Sequence, residues 1–189
     1  MKIGIYGGTF NPPHYAHLKI INEVKKQFRL HKIIVVPTYI SPHKIGIKSV
    51  SGYHRIKMLK LLIGKSKNIK ISNYELSKKG ISYSIDTLKY FKNKYKNPEL
   101  YLIIGSDNLK KLNEWKDIDE IKNKSKIIVV PRKYKLKPIH SAYLRLEFEP
   151  VKISSSEIRK MILKKSNCKN LIPKNIYNYI NKYNLYTKS

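Results

Sequence analysis

Four short runs of apolar, mostly β-branched residues, each halted by glycine or proline, constrain the fold of this chain more than anything else in it. Ile33-Ile34-Val35-Val36 stops at Pro37, Tyr101-Leu102-Ile103-Ile104 at Gly105, Ile127–Val130 at Pro131, and residues 2–6 at Gly7-Gly8. A strand with one wet face alternates apolar and polar residues; a continuous run belongs to a strand covered on both faces, as in parallel sheets. Parallel neighbours need crossovers, and helical spacing recurs between the runs. Leu18, Ile21, Val24 and Phe28 make one stripe from about His14 onward, Ile56, Leu59 and Ile63 a second, and Ile85, Leu88 and Phe91 a third that Ser84 can cap. A short strand falls near Ile69–Ile71, a weakly alternating edge strand over Leu144–Phe148, and a basic irregular loop over 133–141. Ser154 and Glu157, at capping-box spacing, open another helix, and a last one runs from about Pro173 through Ile176, Tyr179 and Ile180. The expectation is an α/β chain with a doubly wound, mainly parallel sheet, 1–189 forming a single domain with a small helical C-terminal portion over 154–189.

At 189 residues the chain is long enough for one sizeable core, and 41% hydrophobic residues without a low-complexity block exclude a disordered tail. Cys168 is the only cysteine, which excludes an internal disulfide or a four-cysteine zinc site and fits a reducing compartment. The stretch Ile3–Tyr6 is too short for a signal-peptide core, and no apolar run approaches the roughly 18 residues of a membrane span, so a cytoplasmic location without a membrane partner is expected. Forty basic against 12 acidic residues give a net charge of +28, which raises nucleic acid as a partner. Only Arg29, Arg55, Arg132, Arg145 and Arg159 are arginines, whereas nucleic-acid sites favour the forked guanidinium. Lysine here accompanies abundant Asn, Ile and Tyr, residues that share AT-rich codons, and reads as a solvated surface. Nucleic acid is therefore disfavoured, although the field should attract anionic small substrates at low salt.

In a doubly wound sheet, ligands bind beyond the carboxyl ends of the strands. That edge collects Gly7-Gly8, Pro37–Lys44, Gly105-Ser106-Asp107 and Pro131-Arg132. The segment Gly7–His17 leads a strand into a helix, so free amides and the positive helix end converge there, an arrangement suited to phosphate. His14 and His17, three apart, share one face of the first turn and can both reach an anion. A zinc pair is disfavoured, because the i, i+4 spacing and a third ligand are lacking. Neither G-x-G-x-x-G nor a Walker A loop is present.

The loop Gly7-Gly8-Thr9-Phe10-Asn11-Pro12-Pro13-His14-Tyr15-Ala16-His17 resembles the G-G-T-F-D-P-x-H-x-G-H signature of the nucleotidyltransferase superfamily. Ser41-Pro42-His43-Lys44, His54-Arg55 with Met58-Leu59, Gly80–Leu88, and Gly105-Ser106-Asp107 with Trp115 narrow the likeness. So do Ile153–Arg159, Leu171-Ile172-Pro173, Tyr179-Ile180 and Leu185-Tyr186. In that order these motifs resemble the bacterial nicotinate-nucleotide adenylyltransferases over almost the whole chain.

The resemblance implies a Rossmann-like fold and the reaction of ATP with nicotinate mononucleotide to give deamido-NAD and pyrophosphate in NAD biosynthesis. It implies His14, His17, Lys44 and Arg159 as catalytic residues, with His17 nearest the reacting phosphorus. It implies Gly7, Gly8, Thr9, Phe10, His17, Gly105, Asp107, Arg132, Ser155 and Ser156 around ATP. Around the nicotinate nucleotide it implies Asn11, Lys44, Asp107, Ser84 and Trp115, the indole stacking on the pyridine ring. Magnesium is the implied cofactor, bound through ATP phosphates; a homo-oligomer is compatible with the sequence. Two residues depart from the pattern: Asn11 stands where the family usually has Asp, and Ala16 where it has Gly. The segment after Arg132 also lacks the usual Pro-Gly. Pantetheine-phosphate adenylyltransferases and cytidylyltransferases are the alternatives within the superfamily, and a basic nucleic-acid-binding module is the alternative outside it.

Overall fold

The computed structural model of the chain describes residues 1–42, 45–46, 49–132 and 140–187. Six strands, β1 (Lys2–Gly8), β2 (Lys32–Pro37), β3 (Ile69–Ile71), β4 (Glu99–Gly105), β5 (Ser125–Val130) and β6 (Leu144–Arg145), form one sheet in the order β3-β2-β1-β4-β5-β6. Every pairing is parallel. The chain winds outward from β1 to β3 and then returns to place β4 on the other side of β1. This reversal opens a crevice above the carboxyl ends of β1 and β4.

The unbroken apolar runs are explained by burial on both faces. Ile3, Ile5, Ile34, Val36, Leu102 and Ile104 face a layer made by α4 (Ser84–Lys94), the 3₁₀ helix Ser106–Glu114 and α5 (Ile118–Lys124). Tyr6, Ile33, Val35, Tyr101 and Ile103 face α1 (Tyr15–Gln27) and Leu59 of α2 (Gly52–Ile63). A third apolar cluster joins Met58 and Leu62 of α2 to Ile158 of α6 (Ser155–Leu163) and Ile176 and Ile180 of α7 (Lys174–Lys182). The C-terminal helices thus pack on α2.

Several elements differ from the sequence reading. The edge strand expected over Leu144–Phe148 shrinks to two residues, because Gln27 of α1 takes up the backbone beyond them: its Oε1 accepts from Glu147 N at 3.0 Å. Ser84 does not cap α4; the cap position is Tyr83, which makes no side-chain cap bond, and Ser84 is the first helical residue. A short helix α3 (Tyr74–Lys78), the 3₁₀ helix and α5 were too short or too polar to show a stripe. The Ser154 cap forms, its Oγ accepting from Glu157 N at 3.2 Å, while the Glu157 carboxylate turns back to the Ser154 hydroxyl rather than to the cap amide. No helix among the described residues is long and apolar enough to cross a membrane.

Candidate active site

A cleft of about 1030 Å³ occupies the crevice at the sheet's switch point. Its floor is the end of β1. A Cβ added to Gly7 would meet nothing within 4 Å, so the missing side chain leaves open cleft beside the backbone. Phe10, at φ 50°, turns its ring down into the core, edge-on to Tyr6 at 5.5 Å and to His17 at 5.0 Å. The loop therefore shows the cleft mainly backbone, and the Asn11–Pro12 peptide is cis.

His14 caps α1 and His17 sits at the third helical position, both buried in the cleft wall with ring centroids 3.7 Å apart. The His14 amide donates to His17 Nδ1 at 3.1 Å. An amide can only donate, so Nδ1 of His17 is an acceptor and its proton resides on Nε2. Burial, assisted by the charge of Arg132, pushes the His14 pKa down to about 3, so this imidazole is neutral at physiological pH. Among the described residues His14 Nδ1 has no hydrogen-bond partner. The pair consequently presents polar imidazole edges rather than the fixed positive charge that a histidine pair suggests.

Positive charge comes from α6 and from the residues just past β5. Arg159 donates through Nη1 to Asn11 O at 2.8 Å and through Nη2 to Ser156 Oγ at 3.3 Å, while Ser155 Oγ donates to Pro12 O at 2.8 Å. The start of α6 is thereby bolted to the loop, with Ser155, Ser156 and Arg159 lining the cleft. At the end of β4, Arg132 Nε lies 3.5 Å from Asp107 Oδ1 across Gly105. A Cβ on Gly105 would collide with the Asp107 carboxylate and come within 2.9 Å of Arg132 Nε. The space beside Gly105 is filled by this ion pair. Both partners are well exposed, so the pair is weak and exchangeable.

Further along the same wall stand Tyr83, Ser84 and Trp115, the indole half-buried against the core. Lys116 Nζ lies 4.8 Å over the Tyr83 ring. Asp86 N donates to Tyr83 O at 3.2 Å, while the cap residue Tyr83 offers no side-chain bond to the amides that open α4. Lys44, with His43, lies outside the described residues. All other expected site residues line this one cleft.

Two residues that received no role from the sequence organise the site. Arg55 is 2% exposed and donates to three carbonyls: Nε to Val50 at 3.1 Å, Nη1 to Thr9 at 3.0 Å and to Thr38 at 2.7 Å. It ties the loop after β1 to the exit of β2 and the entry of α2. Glu75, also buried, accepts from Thr87 Oγ1 at 2.6 Å. Arg55 belongs to one of the family-like motifs, but charge alone does not announce burial; Glu75 had no signal at all.

Residues 5–161 match the cytidylyltransferase-like family. The probable nicotinate-nucleotide adenylyltransferase of Clostridium botulinum is 38% identical over 98% of both chains. The chain belongs to the nicotinate-nucleotide adenylyltransferase family. The family's member from Bacillus subtilis is 36% identical, again over 98% of both chains. The Plasmodium falciparum nicotinic acid mononucleotide adenylyltransferase complexed with NaAD superimposes with a TM-score of 0.83 at 26% identity, covering 98% of this chain and 97% of that one. Membership makes this a nucleotidyltransferase with the family's α/β fold, and it sharpens the two departures. Asn11 Oδ1 accepts from Tyr186 OH at 2.8 Å and from Val50 N at 3.3 Å, so the oxygen that Asp would also offer is in use and only the charge is lost. Ala16 is buried in the first turn of α1 beside His17.

Proposed function

We propose that this chain transfers AMP from Mg·ATP to nicotinate mononucleotide, releasing pyrophosphate and deamido-NAD. The observation that carries the reading is that one cleft holds both the backbone-lined loop Gly7–Asn11 leading to the start of α1 and, along its wall, the start of α4 beside a tryptophan. The first suits a triphosphate and the second an aromatic acid on a ribose phosphate. Near-full-length relatives that bear the family's name support the same pairing of substrates.

The acceptor's phosphate oxygen attacks the α-phosphorus of ATP; the new P–O bond forms as the α–β bridging bond breaks, and pyrophosphate leaves with its electrons. The nucleophile is already an anion, so the protein's part is positioning and charge stabilisation. His17 donates from Nε2 to α-phosphate oxygens as charge gathers on them. Neutral His14 supplies a second imidazole, and Arg159 and the amides of α6 receive the outer phosphates. Gly7, Gly8 and Thr9 cradle the nucleotide with backbone, Phe10 shapes that backbone from below, and Lys44 adds charge. Arg132 and Asp107 exchange their mutual contact for the substrates, Asp107 accepting from ribose hydroxyls. Trp115 stacks on the pyridine ring while Ser84 and its amide take the carboxylate, and Asn11 borders the acceptor phosphate.

Magnesium enters as part of the nucleotide substrate, screening the triphosphate. Packing of α6 and α7 on α2 supports one folding unit, and the lone buried cysteine suits the cytoplasm. The test is pyrophosphate release at physiological salt with nicotinate mononucleotide, nicotinamide mononucleotide and phosphopantetheine as alternative acceptors. Release fastest with the nicotinate nucleotide is expected; faster release with either of the others would overturn the assignment.

A further inference from the structure

A buried carboxylate that no step of the transfer uses lies beneath the turn that opens α4. Glu75 is 6% exposed, and Thr87, whose hydroxyl donates to its Oε1 at 2.6 Å, is buried one turn into α4. Burial raises the Glu75 pKa, and the Thr87 hydrogen bond, the nearby Ser82 hydroxyl and the charge of Lys78 oppose that rise, while Asp86 adds to it. Arg55 is a further cation in its surroundings. A carboxyl group is costly to bury, and among the described residues Oε2 of Glu75 has no hydrogen-bond partner, so its position asks for a use.

The same hydrogen-bonded assembly extends upward. Ser82 Oγ accepts from Tyr39 N at 2.9 Å, Ser82 N donates to Ile40 O at 2.9 Å, and Ile40 and Ile81 form an isolated parallel bridge. Residues 81–82 are therefore held from the side by the segment leaving β2, and the first turns of α4 are held by the Thr87–Glu75 bond. This is the turn that brings Tyr83 and Ser84, at the start of α4, to the cleft wall shared with Trp115.

We propose that Glu75 is a positioning residue for the acceptor. Through the hydroxyl of Thr87 it sets the height and tilt of the α4 amides that receive the ring's anionic substituent, and so governs binding of the acceptor rather than of ATP. The carboxylate, buried in the cleft wall, anchors Thr87 by a hydrogen bond and acts on the acceptor through it. The phosphate loop is held by other contacts, from Arg55, Arg159 and Ser155, which leaves ATP binding independent of Thr87. The inference rests on the reading that the acceptor's ring lies between Trp115 and the start of α4.

The experiment measures KM for nicotinate mononucleotide and for ATP separately, by pyrophosphate release, in wild type, Glu75→Ala, Glu75→Gln, Thr87→Val and the Glu75→Ala/Thr87→Val double variant, with thermal unfolding alongside. Glu75→Ala and Thr87→Val should each raise the acceptor KM by roughly tenfold while the ATP KM stays within about twofold. Glu75→Gln keeps a carbonyl for Thr87 and should stay within about threefold of wild type, and the double variant should be no worse than the worse single one. If Glu75→Ala fails to fold, Thr87→Val, which preserves shape, decides the matter by the same split. Acceptor and ATP KM rising together, an unchanged acceptor KM, or Glu75→Gln as damaging as Glu75→Ala would overturn the proposal. Wild type that does not turn over the nicotinate nucleotide would overturn the functional reading and this assignment together; active wild type with unshifted variants would overturn this assignment alone.

Discussion

Replacing Arg55 by methionine removes every donor of a buried guanidinium while keeping most of its apolar stem. Three hydrogen bonds disappear, to the carbonyls of Val50, Thr9 and Thr38, and all three carbonyls lose a charged partner. Hydrogen bonds to charged groups contribute about 1.5–3 kcal/mol each, so an upper bound for the three is roughly 5–9 kcal/mol. Two effects reduce it: the methionine need not desolvate a cation, and water can reach part of the vacated space. The expected loss is about 3–5 kcal/mol. For a chain of 189 residues that lowers Tm by roughly 6–20 °C. Urea unfolding at pH 7.5, with the slope checked against wild type, gives the free energy directly. Arg55→Lys, which keeps the charge but not the fork, should recover no more than half of the loss. A methionine variant within about 1 kcal/mol of wild type would refute the claim that this side chain holds three loops together.

The cleft itself yields three further expectations. His17→Ala, which removes the Nε2 donor, should lower kcat by roughly 10² or more with the fold intact, and near-normal turnover would remove His17 from the chemistry. Trp115→Ala should raise KM for the nicotinate nucleotide more than KM for ATP; equal rises would mark the indole as structural. His14 has a folded pKa of about 3 against an ordinary 6.5, so the unfolded chain takes up its proton first. The stability from its neutral form is complete above pH 6.5 and drains as pH falls toward 3, at no more than about 1.4 kcal/mol per pH unit. Between pH 6.5 and 4.5, chemical unfolding should therefore show wild type losing about 2–3 kcal/mol more than His14→Asn; parallel curves would contradict the buried neutral imidazole.

The strands were legible because burial on both faces leaves a signature that polar residues cannot mimic: Ile33–Val36 and Ile127–Val130 are buried throughout. The helices were legible as elements but less so as faces. The second stripe, Ile56, Leu59 and Ile63, is rotated in the structure, where α2 buries Arg55, Met58, Leu59 and Leu62. Apolar spacing misses a buried arginine, and it cannot register that α2 serves two neighbours, the sheet through Leu59 and the C-terminal helices through Met58 and Leu62. The site was legible where chemistry is carried by residue type in a fixed order, as in the loop from Gly7 to His17. It was not legible where chemistry depends on surroundings. Nothing in the sequence tells that His14 is held neutral by burial, that the Asp107–Arg132 pair occupies the room above Gly105, or that Tyr186, 175 residues away, bonds to Asn11.

Adenylyl transfer to a nicotinate nucleotide is tested most directly by competition. The enzyme is given Mg·ATP with equal concentrations of nicotinate mononucleotide and nicotinamide mononucleotide, and the two dinucleotide products and pyrophosphate are quantified together. Deamido-NAD in clear excess over NAD, with one pyrophosphate for each dinucleotide formed, is the predicted result. NAD as the main product, or pyrophosphate without a dinucleotide, would contradict it.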